Sequence, residues 1–342
     1  MTKFSPSVSI ILPFKDAVKT VSDCIHSIQA QSLDSWELIA IDDSSKDGTL
    51  EKVLCFAEND PRIKVYRNQG EGIVDALNNA IDLSVGGFIA RMDADDIMHQ
   101  DRLSLQSEFL INNKSIGLVS SLVSYKGNKE ADSRGYQNYV NWINTLKEPE
   151  EISHNRFIES PVAHPSVMFR KELLTFLGCY RKGEFPEDYE LWLRFLNNGV
   201  KMAKINRYLL IWNDHANRLS RNDQRYKLPA FQKIKAQYVT HWITEREISQ
   251  VPVHAWGYGK NAKKQAKFLK QCGVNIKVAY ETDSKKFGHN EDGVEIVHYE
   301  RIPEKGKVFI LILIGSMGIR SKISQYLTDR GHQNGKDYLF LA

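Results

Sequence analysis

The sequence has no paired cysteines. Its four, Cys24, Cys55, Cys179 and Cys272, lie far apart and form no CxxC motif, which argues against a zinc or dithiol framework. It has no long apolar run either. The longest, VFILILIG at Val308–Gly315, falls far short of the ~20 residues of a membrane-spanning helix and reads as a buried strand. No signal-peptide pattern stands at the N-terminus, so the expectation is free thiols in a reducing cytoplasm. There is no internal repeat and no low-complexity tract. The first hundred residues also lack a glycine-rich phosphate cradle, with no match to GxGxxG or to the P-loop pattern. A net charge of +4 leaves room for a phosphate-bearing ligand or an anionic membrane surface. No clustered basic stripe stands out, so no nucleic-acid partner is expected.

What is present is an ordinary globular composition, 42% hydrophobic and 26% charged. The 342 residues suit about two domains. The first hundred alternate strand and helix. VSIIL (Val8–Leu12), WELIAI (Trp36–Ile41), RIKVY (Arg62–Tyr66) and GFIARM (Gly87–Met92) read as strands. Ala17–Gln31, Leu50–Ala57 and Ile73–Leu83 have helical apolar spacing. This alternation predicts a parallel sheet with right-handed crossovers. The middle is mixed. It holds a helix at Arg102–Asn112, a strand at Ile116–Ser121, a polar loop near Lys126–Gly135, a strand at Ser166–Arg170, and a helix opening at FPEDYELWLRFL. Arg225–Arg246 reads as a connecting helix whose Phe231, Ile234, Tyr238 and Trp242 lie on one side, as a packing face or, less often for such a stripe, a membrane face. A second alternating unit of few strands starts at Val251.

Ligands of open parallel sheets bind outside the carboxyl ends of the strands. Asp16 follows the first strand, Asp42 and Asp43 the second, and Asp93, Asp95 and Asp96 the fourth. A solvated turn explains any one of these, but explains three on one edge less well. Without a glycine cradle, such a site would bind phosphates through a divalent cation, and oxygen-only ligands suit magnesium or manganese. A calcium loop is excluded, because Met98 and Ser104 stand where it needs Gly and Glu. Glu187 and Asp188 fall in a first helical turn, where acids also complement the helix dipole. Asp101 is expected to cap the helix from Arg102. His164 suits an acceptor-facing or a structural role equally.

Five stretches in order, VSIILPFKDA, ELIAIDDSSKDGT, GIVDALNNAI, FIARMDADDIMHQDRL and FPEDYELWLRF, together resemble family 2 glycosyltransferases of the GT-A fold over roughly residues 5–220. The resemblance implies a mostly parallel α/β sheet flanked by helices. It implies an inverting, metal-dependent transfer from a nucleotide-sugar donor, commonly UDP-linked, to a glycan or lipid-linked acceptor in bacterial surface-glycan synthesis. By the same resemblance, Asp43 would bond the donor's base, Pro13 and Phe14 would line its pocket, and Asp16 would lie near it. Asp93 would face the ribose and sugar. Asp95 would ligate the metal, manganese or magnesium, with His215 near the metal or the pyrophosphate. Asp188 would be the general base, with Glu187 beside it. Localisation would be cytoplasmic, with peripheral membrane association left open.

The expected organisation is a GT-A domain over 1–222, a connecting helical segment over 223–250, and a small Rossmann-like α/β domain over 251–342. In the last, WGYGKNA (Trp256–Ala262) sits between strand and helix, and Asp283 lies near the acidic position of a dinucleotide fingerprint. The module either binds a nucleotide or sugar-nucleotide, or serves docking and stability. Two alternatives to the transferase stand. A nucleotidyltransferase would carry a glycine-rich, basic loop after the first strand, where PFKDAVKT has no glycine. A non-catalytic sugar-nucleotide regulator would have no use for Asp95 and Asp188.

Overall fold

The computed structural model describes residues 6–127, 134–216 and 218–342. The chain divides into two compact units. One comprises residues 1–152, 162–183 and 198–222, the other residues 153–161, 184–197 and 223–342.

The first unit opens as the apolar alternation predicts: β1 (Val8–Phe14), α1 (Val21–Gln29), β2 (Trp36–Asp42), α2 (Thr49–Asn59), β3 (Ile63–Arg67), α3 (Gly72–Leu83) and β4 (Phe88–Arg91). It continues through β5 (Ile97–Met98), α4 (Arg102–Asn112), β6 (Ile116–Lys126), α5 (Arg134–Ile143), α6 (Pro149–Asn155, whose last three residues fall in the second unit), β7 (Met168–Arg170) and α7 (Glu172–Leu177). After α8 (Glu187–Asn197), which falls in the second unit, β8 (Lys201–Asn213) and α9 (Leu219–Asn222) complete it. Its eight strands run in the order β3-β2-β1-β4-β7-β6-β8-β5. The pairs β3–β2, β2–β1 and β1–β4 are parallel, whereas β7 is antiparallel to both β4 and β6.

Strands buried on both faces need continuous apolar sequence, and all seven residues of β2 are buried. It holds two acids, Asp42 at its carboxyl end and Glu37 near its start, and the latter is compensated. Glu37 accepts bonds from Ser9 Oγ (2.5 Å), Val85 N–H (2.8 Å) and Lys64 Nζ (2.7 Å). Burial alone would raise its pKa, but these donors outweigh burial and hold it below the ordinary value.

Several expectations for the middle are corrected. Ser166–Arg170, expected as one strand, divides into a 3-10 turn at His164–Ser166 and the short β7. Of the expected loop at Lys126–Gly135, residues 128–133 lie outside the described residues, and Arg134 already begins α5. The 13-residue β8 was not anticipated. Its register against β6 shifts near Ile205–Tyr208, and such a bulge breaks the two-residue alternation that marks a strand. Asp101 occupies the N-cap position of α4 but makes no side-chain cap bond. Its carboxylate faces Arg207 (3.6 Å) and His99 (3.7 Å) instead.

The second unit contains α8, α10 (Leu228–Thr244), β9 (Val253–Trp256), α11 (Lys260–Gln271), β10 (Val278–Glu281), β11 (Asn290–Glu291), β12 (Val294–His298), β13 (Phe309–Ile312), α12 (Met317–Asp329) and β14 (Tyr338–Phe340). Few strands were expected here, yet the sheet has six, ordered β11-β12-β10-β9-β13-β14. All pairs are parallel except β11–β12. Numbered along the chain, the five parallel strands run 3-2-1-4-5, the order of a doubly wound sheet. The Gly257–Gly259 turn follows its central strand. Gly257 has φ +88°, and a Cβ there would meet Ile314 Cγ1 at 2.5 Å. Only glycine fits without rearrangement. Among the described residues, no helix is long and apolar enough to cross a membrane.

Candidate active site

In the first unit, the carboxyl ends of β1, β2 and β4 are neighbours. Asp16, left-handed at φ +48°, accepts the Lys46 N–H at 2.7 Å. That bond ties the loop after β1 to the loop after β2. Asp42 accepts the Ser45 N–H at 3.0 Å. Asp43 Oδ1 accepts from Asn68 Nδ2 (2.7 Å) and Gly72 N–H (3.0 Å), while Oδ2 faces Lys15 Nζ at 3.6 Å. Pro13 is half-buried, and Phe14 is buried within the hydrophobic core.

The loop after β4 gathers Asp93, Asp95 and Asp96, and one carboxylate oxygen of each lies within 4.8 Å of the other two. The end of β8 and the segment that follows it supply much of what surrounds them. His215 Nε2 is 2.9 Å from Asp95 Oδ2. Asn213 donates its N–H to Asp96 Oδ1 (2.9 Å) and its Nδ2 to the Asp95 carbonyl (2.7 Å). Arg218, stacked over Trp212 at 4.4 Å, brings Nη2 within 3.6 Å of Asp93 Oδ2. Buried Arg91 makes an ion pair with Asp93 Oδ1.

The three carboxyls are not equivalent. Burial raises the Asp95 pKa, but the His215 bond and the Arg218 charge outweigh it and hold the carboxyl below its ordinary range. Asp96 is pushed well above its ordinary value by burial first and then by the charge of Asp95. Its Oδ2 is buried and has no hydrogen-bond partner among the described residues. A converging, all-oxygen set with an orphaned buried oxygen fits a divalent cation of the magnesium or manganese kind. Asp95 and His215, expected at a metal, do meet. Arg91 and Arg218 escaped the sequence reading. The alternation of an extended chain could have found the first, since residues i and i+2 share a face. The second had no local signal.

In the second unit, Glu187 and Asp188 open α8. Glu187 is buried, and its Oε2 accepts the Tyr226 hydroxyl at 2.6 Å. Burial, and then the charges of Glu187 and Asp188, push the Tyr226 phenol far above its ordinary value, so it remains a donor. Asp188 is half-buried, and Oδ1 accepts the Tyr189 N–H at 2.7 Å. The helix is fixed from its other side. Arg194 grips Glu190 with two bonds (3.1 and 2.8 Å), and Tyr238 donates to Glu190 at 2.5 Å. His164, in the first unit, is buried against the Tyr180 hydroxyl at 2.8 Å.

The mostly parallel, helix-flanked sheet of the first unit is the fold that the sequence resemblance implied. One solved structure, S. aureus TarS 1-349 in complex with UDP-GlcNAc, matches with a TM-score of 0.52 and 16% identity over 78% of this chain and 71% of that one, which shows the fold. The family model for Glycosyl transferase family 2 matches residues 9–177, ending short of Glu187. The Escherichia coli UDP-Glc:alpha-D-GlcNAc-diphosphoundecaprenol beta-1,3-glucosyltransferase WfgD is 32% identical over 56% of this chain and 70% of its own length. The bifunctional glycosyltransferase pgtA of Dictyostelium discoideum is also 32% identical, over 63% of this chain, but the match spans only 34% of that larger protein. The chain belongs to glycosyl transferase family 2 and is a glycosyltransferase.

Proposed function

We propose that this glycosyltransferase moves a sugar from a UDP-linked donor to a hydroxyl of a glycan or lipid-linked acceptor, with inversion, in surface-polysaccharide synthesis at the cytoplasmic face of a membrane. The observation that carries this reading is the converging Asp93, Asp95 and Asp96 set beside Asp43 on one sheet edge. Asp43, with Pro13 and Asp16 beside it, receives the base, Phe14 backs that pocket from the hydrophobic core, and Asp93 faces the ribose and sugar. UDP is favoured by the UDP-glucose donor of WfgD and the UDP-GlcNAc of the TarS complex, and a lipid-linked acceptor by the diphosphoundecaprenol acceptor of WfgD. Manganese or magnesium would be held by Asp95, with Asp93, Asp96 and His215 around it, and when bound supplies charge neutralisation for the diphosphate.

Asp188 is the general base. The acceptor oxygen bonds to the anomeric carbon as the carbon–oxygen bond to the diphosphate breaks, and the acceptor's proton passes to the Asp188 carboxylate. One such displacement inverts the anomeric centre. Glu187, engaged by Tyr226, serves to set the first turn of α8. Arg218, 3.6 Å from Asp93 Oδ2, adds a cation beside the set that would meet the donor's diphosphate.

A panel of nucleotide sugars, screened by thermal shift with manganese, tests the donor, because a ligand that binds only the native state raises its stability. A UDP-sugar should raise Tm only with metal present. Its product should show the opposite anomeric configuration by NMR. Retention, or no response to any UDP-sugar, would sink the reading.

A further inference from the structure

No basic stripe was expected, and the even composition hides one. Residues 1–222 carry 26 lysines and arginines against 30 acids, a net −4, whereas residues 223–342 carry 20 against 12, a net +8. Much of that excess lies on one helix. α11 (KNAKKQAKFLKQ) has five lysines and no acid. Its buried side, Ala262, Gln265, Ala266 and Leu269, is fully used in packing within its own unit. At 3.6 residues per turn, Lys260, Lys263, Lys264, Lys267 and Lys270 share the opposite face, in an arc of roughly 120°. Four of them are exposed. Lys263 pairs with Glu291 at 2.6 Å, and Asp292 also acts on it. These two acids flank only the N-terminal turn. An ordinary solvated helix face mixes both signs, but this one does not.

We infer that the lysine face of α11 is a docking surface for anionic lipid headgroups. It is a purely electrostatic surface, since the helix has no apolar stripe left to insert, and clustered lysines are drawn to the negative leaflet surface. The choice of a lipid over another polyanion rests on the proposed lipid-linked acceptor. That substrate lies at a membrane, and among the described residues no helix can span one.

The test is co-sedimentation of the full chain with vesicles, with neither donor nor acceptor present, so that loss of binding and loss of transfer are read separately. Vesicles of phosphatidylcholine containing roughly one third phosphatidylglycerol should bind the protein at least about tenfold more tightly than phosphatidylcholine alone, and rising salt should release it. K264E/K267E/K270E should lose that preference. K305E/K322E/K336E, with the same change in net charge elsewhere in the sequence, should keep it. K264Q/K267Q/K270Q provides a milder second variant, and circular dichroism confirms folding of each. Equal binding to neutral vesicles, equal loss in both charge-reversal variants, or displacement from the vesicles by duplex DNA at physiological salt would overturn the assignment.

Discussion

The two units share an elementary plan, a parallel sheet crossed by helices, and furnish its carboxyl edge in opposite ways. In the first, the loops after β1, β2 and β4 offer six aspartates and no glycine turn at β1. In the second, a glycine turn follows the central strand, and the acid ending the next strand is already engaged. Glu281 accepts the Tyr258 N–H at 2.7 Å and faces Lys286 Nζ at 3.3 Å. One edge keeps its carboxylates for a cation, whereas the other spends its carboxylate on holding its own loop. The shared scaffold therefore says little about chemistry, and the side chains placed on it decide the function.

The largest expected effect comes from Asp188→Asn. Transfer should fall about 10²–10⁴-fold while donor affinity changes by less than about twofold. Rate and donor Kd, measured on one preparation, check this, and near-wild-type turnover would remove the base from Asp188. Asp95→Ala should act through the other role. Manganese affinity by titration calorimetry should drop by at least the roughly 10–100-fold that even outer-shell partners of a metal carry. Unchanged affinity would place the cation elsewhere.

On the glycine-bearing edge the expected effect is on stability rather than chemistry. Gly257→Ala combines a positive φ with a clash against Ile314, and should cost about 2–4 kcal/mol in urea unfolding, leaving manganese affinity as it was. If metal binding fell too, the separation of roles drawn above would fail. Tyr226→Phe removes one bond to Glu187 and should reduce kcat by the equivalent of roughly 1–2 kcal/mol with donor KM unchanged. A change confined to KM would argue for a binding role.

The smallest effect is a pH slope. Lys235 is buried, donates to the carbonyls of Ile158 (3.0 Å) and Leu341 (2.9 Å), and is lowered by burial from 10.5 to about 8. The unfolded chain therefore binds its proton more tightly than the folded one. Below about pH 8 both forms are protonated and the full burial penalty applies. Between about 8 and 10.5 the folded form sheds the proton first, so this residue's contribution becomes more favourable as pH rises. Denaturation midpoints of wild type and Lys235→Met across that window should diverge in that sense, and parallel curves would refute it.

Legibility followed the range of the interactions. β1 to β4 and their helices were readable because burial leaves a periodic apolar trace in a few neighbouring residues. The aspartates were readable because each stands directly after a strand. β8 was not, since its bulge disrupts the alternation. The failed cap at Asp101 shows a local preference losing to longer-range partners, Arg207 among them. The basic face of α11 was overlooked because a net charge averages over the whole chain.

The sequence by itself determined the family, the parallel core of the first unit, and which strand ends carry acid. These follow from local hydrophobic periodicity and from motif order. Only the tertiary structure decided which groups meet those acids. Asp95 finds His215, and Asp96 finds Asn213, more than a hundred residues away, through the return of β8 to the sheet. Only the tertiary structure assigned α8, with Glu187 and Asp188, to the second unit. Charge pairing and unit membership depend on contacts between distant segments, and no window along the chain contains both partners.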